Sequence, residues 1–208
     1  MEKKLIINVG QQLGSGGRCI AKALSEEFNC QFYDKEILNL AAKESGFSEK
    51  FFEKNDEQKG FLRSLLCMHA PHIGDNSFYK SDFSQESLFL FQSDAIKKAA
   101  TNGACVFVGR CADYVLREYD NVINIFITAD MKQRIERVIK RHNCDDVMAC
   151  KIINSQENER ASYYNYYTGQ KWGYAENYDL CINSSILGIE GTVAFIRDFI
   201  KSRQCNLF

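Results

Sequence analysis

Short apolar runs recur along the chain at residues 5–9, 105–108, 122–127 and 180–182, with a briefer one at 31–33, and between them the apolar positions change to a spacing of three and four. Brief runs bounded by polar residues or glycine predict strands buried on both faces, and the wider spacing predicts amphipathic helices. From Arg18 to about Phe28, Ile20, Leu24 and Phe28 recur every fourth residue with Ala21 and Ala23 beside them, while Lys22, Ser25, Glu26 and Glu27 fall largely on the other side. After the run at 122–127, Ile135, Val138 and Ile139 form the apolar side of a second helix, and Arg134, Arg137 and Arg141 give it a basic face. Strands alternating with helices predict an α/β fold, a parallel sheet covered on both faces. Residues 45–84 break the pattern. They hold the only proline, Pro71, and polar stretches such as Glu53-Lys54-Asn55-Asp56-Glu57-Gln58-Lys59, so they read as a partly helical insertion within a single domain.

The first apolar run ends in Gly10-Gln11-Gln12-Leu13-Gly14-Ser15-Gly16-Gly17-Arg18, directly before the first helix. Glycines at this density let backbone N–H groups converge on an anion, at a helix N-terminus whose dipole favours negative charge. Strand, loop and helix stand in the order of a phosphate-binding loop. Its candidate ligands are Gly14, Ser15, Gly16, Gly17, Arg18 and Cys19, with Ser15 offering a hydroxyl. The consensus G-x-x-x-x-G-K-[ST] is not met, because Gly17 stands where lysine should follow Gly16, and Cys19 brings no hydroxyl to hold Mg2+. Arg18 is the cation beside the loop, and its planar guanidinium can fork onto phosphate oxygens. Against this stands a glycine-rich turn that binds nothing, and the loop alone leaves both readings open.

Across 208 residues, 26 basic and 27 acidic side chains leave a formal charge of −1. No global field therefore draws long nucleic acid or an anionic membrane, and any anion must be held by a local cluster. No apolar run is long enough to span a bilayer, and the charged start Glu2-Lys3-Lys4 leads into a short apolar stretch, so the expectation is a cytoplasmic protein. Nine cysteines, scattered without a C-x-x-C pair, fit reduced thiols. The group Cys67-Met68-His69-Ala70-Pro71-His72, with His142 and Cys144, matches no zinc-module spacing and reads as ordinary loop residues, so no metal site is expected.

In a doubly wound sheet, ligands gather beyond the carboxyl ends of the strands. That rule nominates the glycine loop, Asp34-Lys35-Glu36, Gly109-Arg110-Cys111-Ala112-Asp113 and Thr128-Ala129-Asp130. Together with Phe32-Tyr33, Ile125-Phe126-Ile127 and Tyr178-Asp179-Leu180-Cys181-Ile182-Asn183-Ser184-Ser185, these motifs in this order resemble the cytidylate kinase-like family and span nearly the whole chain. The resemblance implies a P-loop fold with an acceptor side around residues 45–84 and a lid around 141–175. It implies ATP and Mg2+ as cosubstrates and transfer of the γ-phosphoryl to a small nucleotide, a pyrimidine monophosphate above all. By position, Gly14 to Arg18 would cradle the ATP phosphates, and Asp34 would hold the acceptor with Lys35 in place of the family's serine. Arg110 would meet the acceptor phosphate with Asp113 beside it. Arg18, Arg134 and Arg160 would offset charge on the phosphoryl in flight, and Arg137 would contact the substrate.

The same residues admit other roles. Arg110 can form a surface ion pair, and the arginine stripe can be a solvated helix face. The run Tyr163-Tyr164-Asn165-Tyr166-Tyr167-Thr168-Gly169-Gln170-Lys171-Trp172-Gly173-Tyr174 can stack on a base, pack with its hydroxyls at the surface, or form a subunit contact in a homo-oligomer. Beside the phosphotransferase stand a noncatalytic nucleotide-binding regulator, motivated by Gly17, Cys19 and Lys35, and a structural oligomer built on the tyrosine-rich segment.

Overall fold

The computed structural model describes residues 4–34 and 78–205. The chain divides into two compact units, Met1–Tyr33 with Ala100–Phe208, and Asp34–Ala99. The first holds five strands: β1 (Ile6–Gln11), β2 (Gln31–Tyr33), β3 (Cys105–Val108), β4 (Val122–Thr128) and β5 (Leu180–Asn183). All are parallel, in the order β2-β3-β1-β4-β5. The helices are α1 (Gly17–Glu27), α2 (Phe78–Asn102), α3 (Ala112–Val115), α4 (Met131–His142), α5 (Asp146–Thr168) and α6 (Ser184–Cys205), with a 3-10 turn at Ala175–Asn177.

The central strands read as unbroken apolar runs because both faces of a parallel sheet are covered. On one face Ile7, Val9, Val106, Val108, Ile123, Ile125 and Ile127 pack with Ile20, Ala21 and Leu24 of α1 and Ile196 and Ile200 of α6. Removing a side chain of this size fully from water contributes about 1.5–3 kcal/mol, so this layer anchors α1 against the sheet. Ser25 joins the buried side of α1 rather than its polar side. Its Oγ donates to the Lys22 carbonyl at 2.7 Å, which satisfies the hydroxyl locally and removes the penalty of burying it.

β1 is central, with β3 on one side and β4 on the other, so the segments leaving β1, β3 and β4 emerge at one carboxyl edge. Of the segment 45–84, residues up to 77 lie outside the described ones, as do Lys35 and the Cys67–His72 group. Its described end, from Phe78 onward, is helical and belongs to α2, with the polar Ser81-Asp82 pair inside that helix. Farther along α2, Leu88, Gln92, Ala95, Ile96 and Ala99 are buried at helical spacing. Among the described residues no helix is long and apolar enough to cross a membrane.

Candidate functional site

The loop leaving β1 is tied down on three sides. The Gln12 N–H extends the ladder to the Ile127 carbonyl at 3.0 Å. Leu13 turns inward, into a small core with Val138 of α4 and Ala149 and Ile153 of α5. The Ser184 hydroxyl, at the start of α6, donates to the Ser15 carbonyl at 2.6 Å. Gly14 and Gly16 adopt the left-handed conformation, at φ +79° and +81°. A Cβ on Gly14 would lie 2.7 Å from the Arg134 carbonyl oxygen, whereas one on Gly16 would meet the far end of the Ile189 side chain. Gly16 is the N-cap of α1 and brings no side chain to it. Ser15 is fully buried, and its Oγ accepts from the Gly17 N–H at 3.3 Å, so this hydroxyl shapes the loop from inside instead of lining its surface.

Three arginines close around the same loop. Arg134 Nε donates to the Leu13 carbonyl at 2.8 Å, Arg137 Nη1 to the Gly14 carbonyl at 2.9 Å, and Arg160 Nη1 to the Gln11 carbonyl at 3.0 Å. Arg134 and Arg137 come from α4 and Arg160 from α5, so two helices hold carbonyls of the loop and of the last residue of β1 by charge-assisted hydrogen bonds. The expected basic face of α4 is corrected in one respect. Arg134 is 3 % exposed, on the same buried side as Val138, and pairs with Glu157 of α5; a charge so far from water needs that partner. Arg137 is half-buried, its Nη2 donating to Gln133 at 3.0 Å, and Arg141 is exposed. Arg18 and Cys19 are exposed in the first turn of α1, with the Arg18 guanidinium 6.0 Å from the centre of the Phe32 ring.

A second cluster forms where the chain leaves β3. Gly109, Arg110 and Cys111 are three consecutive residues with positive φ, at 67°, 61° and 57°. Only the first is glycine, and a left-handed residue with a Cβ costs about 1–2 kcal/mol. Asp113, in the short helix α3, accepts a hydrogen bond of 2.6 Å from the Tyr164 hydroxyl of α5, and Gln170 Oε1 lies 3.0 Å from the same hydroxyl. Burial lifts the Asp113 carboxyl above its ordinary range, opposed in part by the bonds from Tyr164 and from backbone N–H groups. Burial likewise pushes up the thiol of Cys111 and the phenols of Tyr163, Tyr164 and Tyr178, with Arg110 pulling the first two the other way. The rest of the aromatic run is anchored at the sheet. Phe126 of β4 stacks edge-on with Trp172 at 5.3 Å and tilts against Tyr178 at 4.9 Å.

The structure thus brings Gly14, Ser15, Gly16, Gly17, Arg134, Arg137 and Arg160 together at one loop, and Arg110 and Asp113 together at the exit of β3. Asp34 follows β2 and is half-buried. Cys144 packs on the Leu13 core, and among the described residues no group of three metal-ligating side chains converges. Glu157, Tyr164 and Ser184 escaped the sequence reading as site residues. Tyr164 lay inside a conspicuous aromatic run, but nothing in the sequence singled it out from its neighbours.

A parallel sheet in this order, with a glycine-rich loop between its central strand and a covering helix, defines the P-loop kinase fold. The solved shikimate kinase from Bacteroides thetaiotaomicron shares that fold, at 11% identity and a TM-score of 0.52 over 95% of this chain and 98% of its own. The sequence model of the cytidylate kinase-like family matches residues 6–186, and the chain belongs to that family. It is 28% identical to a cytidylate kinase of Methanococcus aeolicus over 96% of this chain and 99% of the relative. A solved uncharacterized protein from Eubacterium ventriosum is similar at 27% identity and a TM-score of 0.72, covering 96% of this chain and 99% of that one.

Proposed function

We propose that this protein transfers the γ-phosphoryl of ATP to a nucleoside monophosphate, a pyrimidine nucleotide above all. The observation that carries the reading is the loop itself: two left-handed glycines lead into a helix whose N-cap Gly16 brings no side chain, and three arginines hold the carbonyls of Gln11, Leu13 and Gly14, an arrangement suited to a phosphate. Family membership and likeness to cytidylate kinases support the substrate class. The donor set fits a phosphate chain better than a resident metal, so Mg2+ would ride on the ATP phosphates and supply charge neutralisation there. Gly14, Gly16, Gly17 and Arg18 would hold those phosphates. The acceptor phosphate is already ionised and needs no strong general base, which leaves positioning and charge neutralisation as the work of this chain. Arg110, at the carboxyl end of β3, would orient the attacking oxygen.

A noncatalytic regulator is the second reading, favoured by Gly17 at the consensus lysine position and by the exposed Cys19, which brings no hydroxyl. An ATP-consumption screen over CMP, dCMP, UMP, AMP and GMP, with binding measured on the same panel, separates the two. Turnover supports the enzyme, and tight binding without turnover supports the regulator. On the enzyme reading, Arg110→Met lowers acceptor-dependent turnover by about a hundredfold and leaves ATP affinity intact. A lower melting temperature with unchanged acceptor kinetics would instead make Arg110 a structural ion pair.

A further inference from the structure

We infer that Tyr164 is a positioning residue: by donating to Asp113 it holds the left-handed turn Gly109-Arg110-Cys111 in shape and so aims Arg110. The inference rests on the acceptor role proposed for Arg110. Arg110 and Cys111 carry side chains in a conformation that L-residues rarely adopt, and such residues persist only where their surroundings over-determine them. At Gly109 a Cβ would meet nothing within 4 Å, so packing does not force the turn at that point. What meets it lies just downstream. Cys111 is the N-cap of α3 and offers no side-chain cap, and Asp113 stands in the first turn of that four-residue helix. A helix so short cannot hold its own ends.

Backbone bonds close the turn locally, from the Gly109 N–H to the Val9 carbonyl at 3.1 Å and from the Ala112 N–H to the Gly109 carbonyl at 3.3 Å, and the side-chain tie from α5 is the 2.6 Å bond from Tyr164 to Asp113. Tyr164 is itself firmly held: it is 5 % exposed, and its carbonyl accepts from the Thr168 hydroxyl at 2.7 Å. Thr168 Oγ1 in turn accepts from the Gln170 N–H at 3.0 Å, which brings the Gln170 side chain to the same phenol. The end of α5 and the exit of β3 are therefore joined through one hydroxyl, whose removal leaves the ring and its packing in place.

Tyr164→Phe tests this with two readouts. The first is the alkylation rate of Cys111 by iodoacetamide, followed by peptide mass spectrometry, with the fully buried Cys105 as an internal control for global opening. The expected result is a rate at least tenfold higher at Cys111 and unchanged at Cys105, while Asp113→Asn, which can still accept from Tyr164, keeps most of the protection. The second is CMP affinity in the native and Arg110→Met backgrounds. Tyr164→Phe should weaken CMP binding about tenfold in the first, less than twofold in the second, and leave ATP affinity unchanged. Unchanged Cys111 protection, a parallel rise at both thiols, or an equal CMP loss in both backgrounds would overturn the inference. A native protein that binds CMP no more tightly than Tyr164→Phe refutes this inference alone. A native protein that binds no nucleoside monophosphate refutes the acceptor reading, and the aiming role with it.

Discussion

Gly14 and Gly16 look equivalent in the sequence, yet their neighbours make them different experiments. A side chain at Gly14 collides with the Arg134 backbone, which cannot move without shifting α4, so Gly14→Ala is expected to destabilise the whole unit. At Gly16 the obstacle is the end of the Ile189 side chain, which can swing away, so the cost of Gly16→Val is mainly the strain of a side chain at φ +81°; the variant should fold with lower stability and lose affinity for ATP and pyrophosphate. Unchanged affinity in a folded Gly16→Val protein would end the phosphate-loop reading. Arg18, proposed to meet the phosphates, is exposed one residue into α1. Losing a charge-assisted contact costs about 1.5–3 kcal/mol, so Arg18→Ala should weaken ATP binding at least tenfold and Arg18→Lys should restore part of it, as titration calorimetry can read.

At the level of elements, α4 and α5 act as a clamp on the loop, and the Arg134–Glu157 pair joins the two helices behind it. Removing one partner of a buried pair leaves an uncompensated charge, at a cost of about 3 kcal/mol. Glu157→Gln should therefore lower the melting temperature by about 10 °C at roughly 3 °C per kcal/mol for a chain of this size. It should also weaken ATP binding, because the loop carbonyl held by Arg134 loses its support. A loss of stability with no change in ATP affinity would show that the clamp serves only the fold. The helix positions of α4 were legible from their spacing, since Ile135, Val138 and Ile139 repeat at three and four. That Arg134 lies on the buried side was not, because the periodicity shows a charged residue and only the position of Glu157 makes its burial affordable.

For the molecule as a whole, the buried Asp113 has a consequence for stability against pH. Burial holds its carboxyl above the usual range in the folded chain, so the folded state binds the proton more readily than the unfolded state. The resulting penalty is full above the folded pKa and disappears as pH falls through it toward the unfolded value. Asp113→Asn should then melt at a higher temperature than the native protein at pH 7, and the difference should shrink as the solution is acidified toward about pH 4, the ordinary carboxylate range. A difference that stays constant with pH would mean that Asp113 is not destabilised by burial. The thiols give a parallel check on the layering, since burial lifts Cys30 to about 11 and Cys105 to about 12.

The sequence by itself determined the strands, the order of strand, loop and helix at residues 6–27, and the family. Those features are local: apolar runs, glycine spacing and motif order are written along the chain, and the observed strands differ from the runs by a residue or two at their ends. Tertiary structure alone decided which polar side chains turn inward and what they bond. Three arginines that follow β4, two of them one turn apart on one helix, converge on carbonyls of a loop that precedes them by more than a hundred positions. Tyr164 finds Asp113 across 51 residues, and no local pattern records such a pairing. Hydrophobic burial needs only a repeating apolar position, which a sequence displays, whereas a hydrogen bond needs two particular atoms brought within about 3 Å, which only the folded chain supplies.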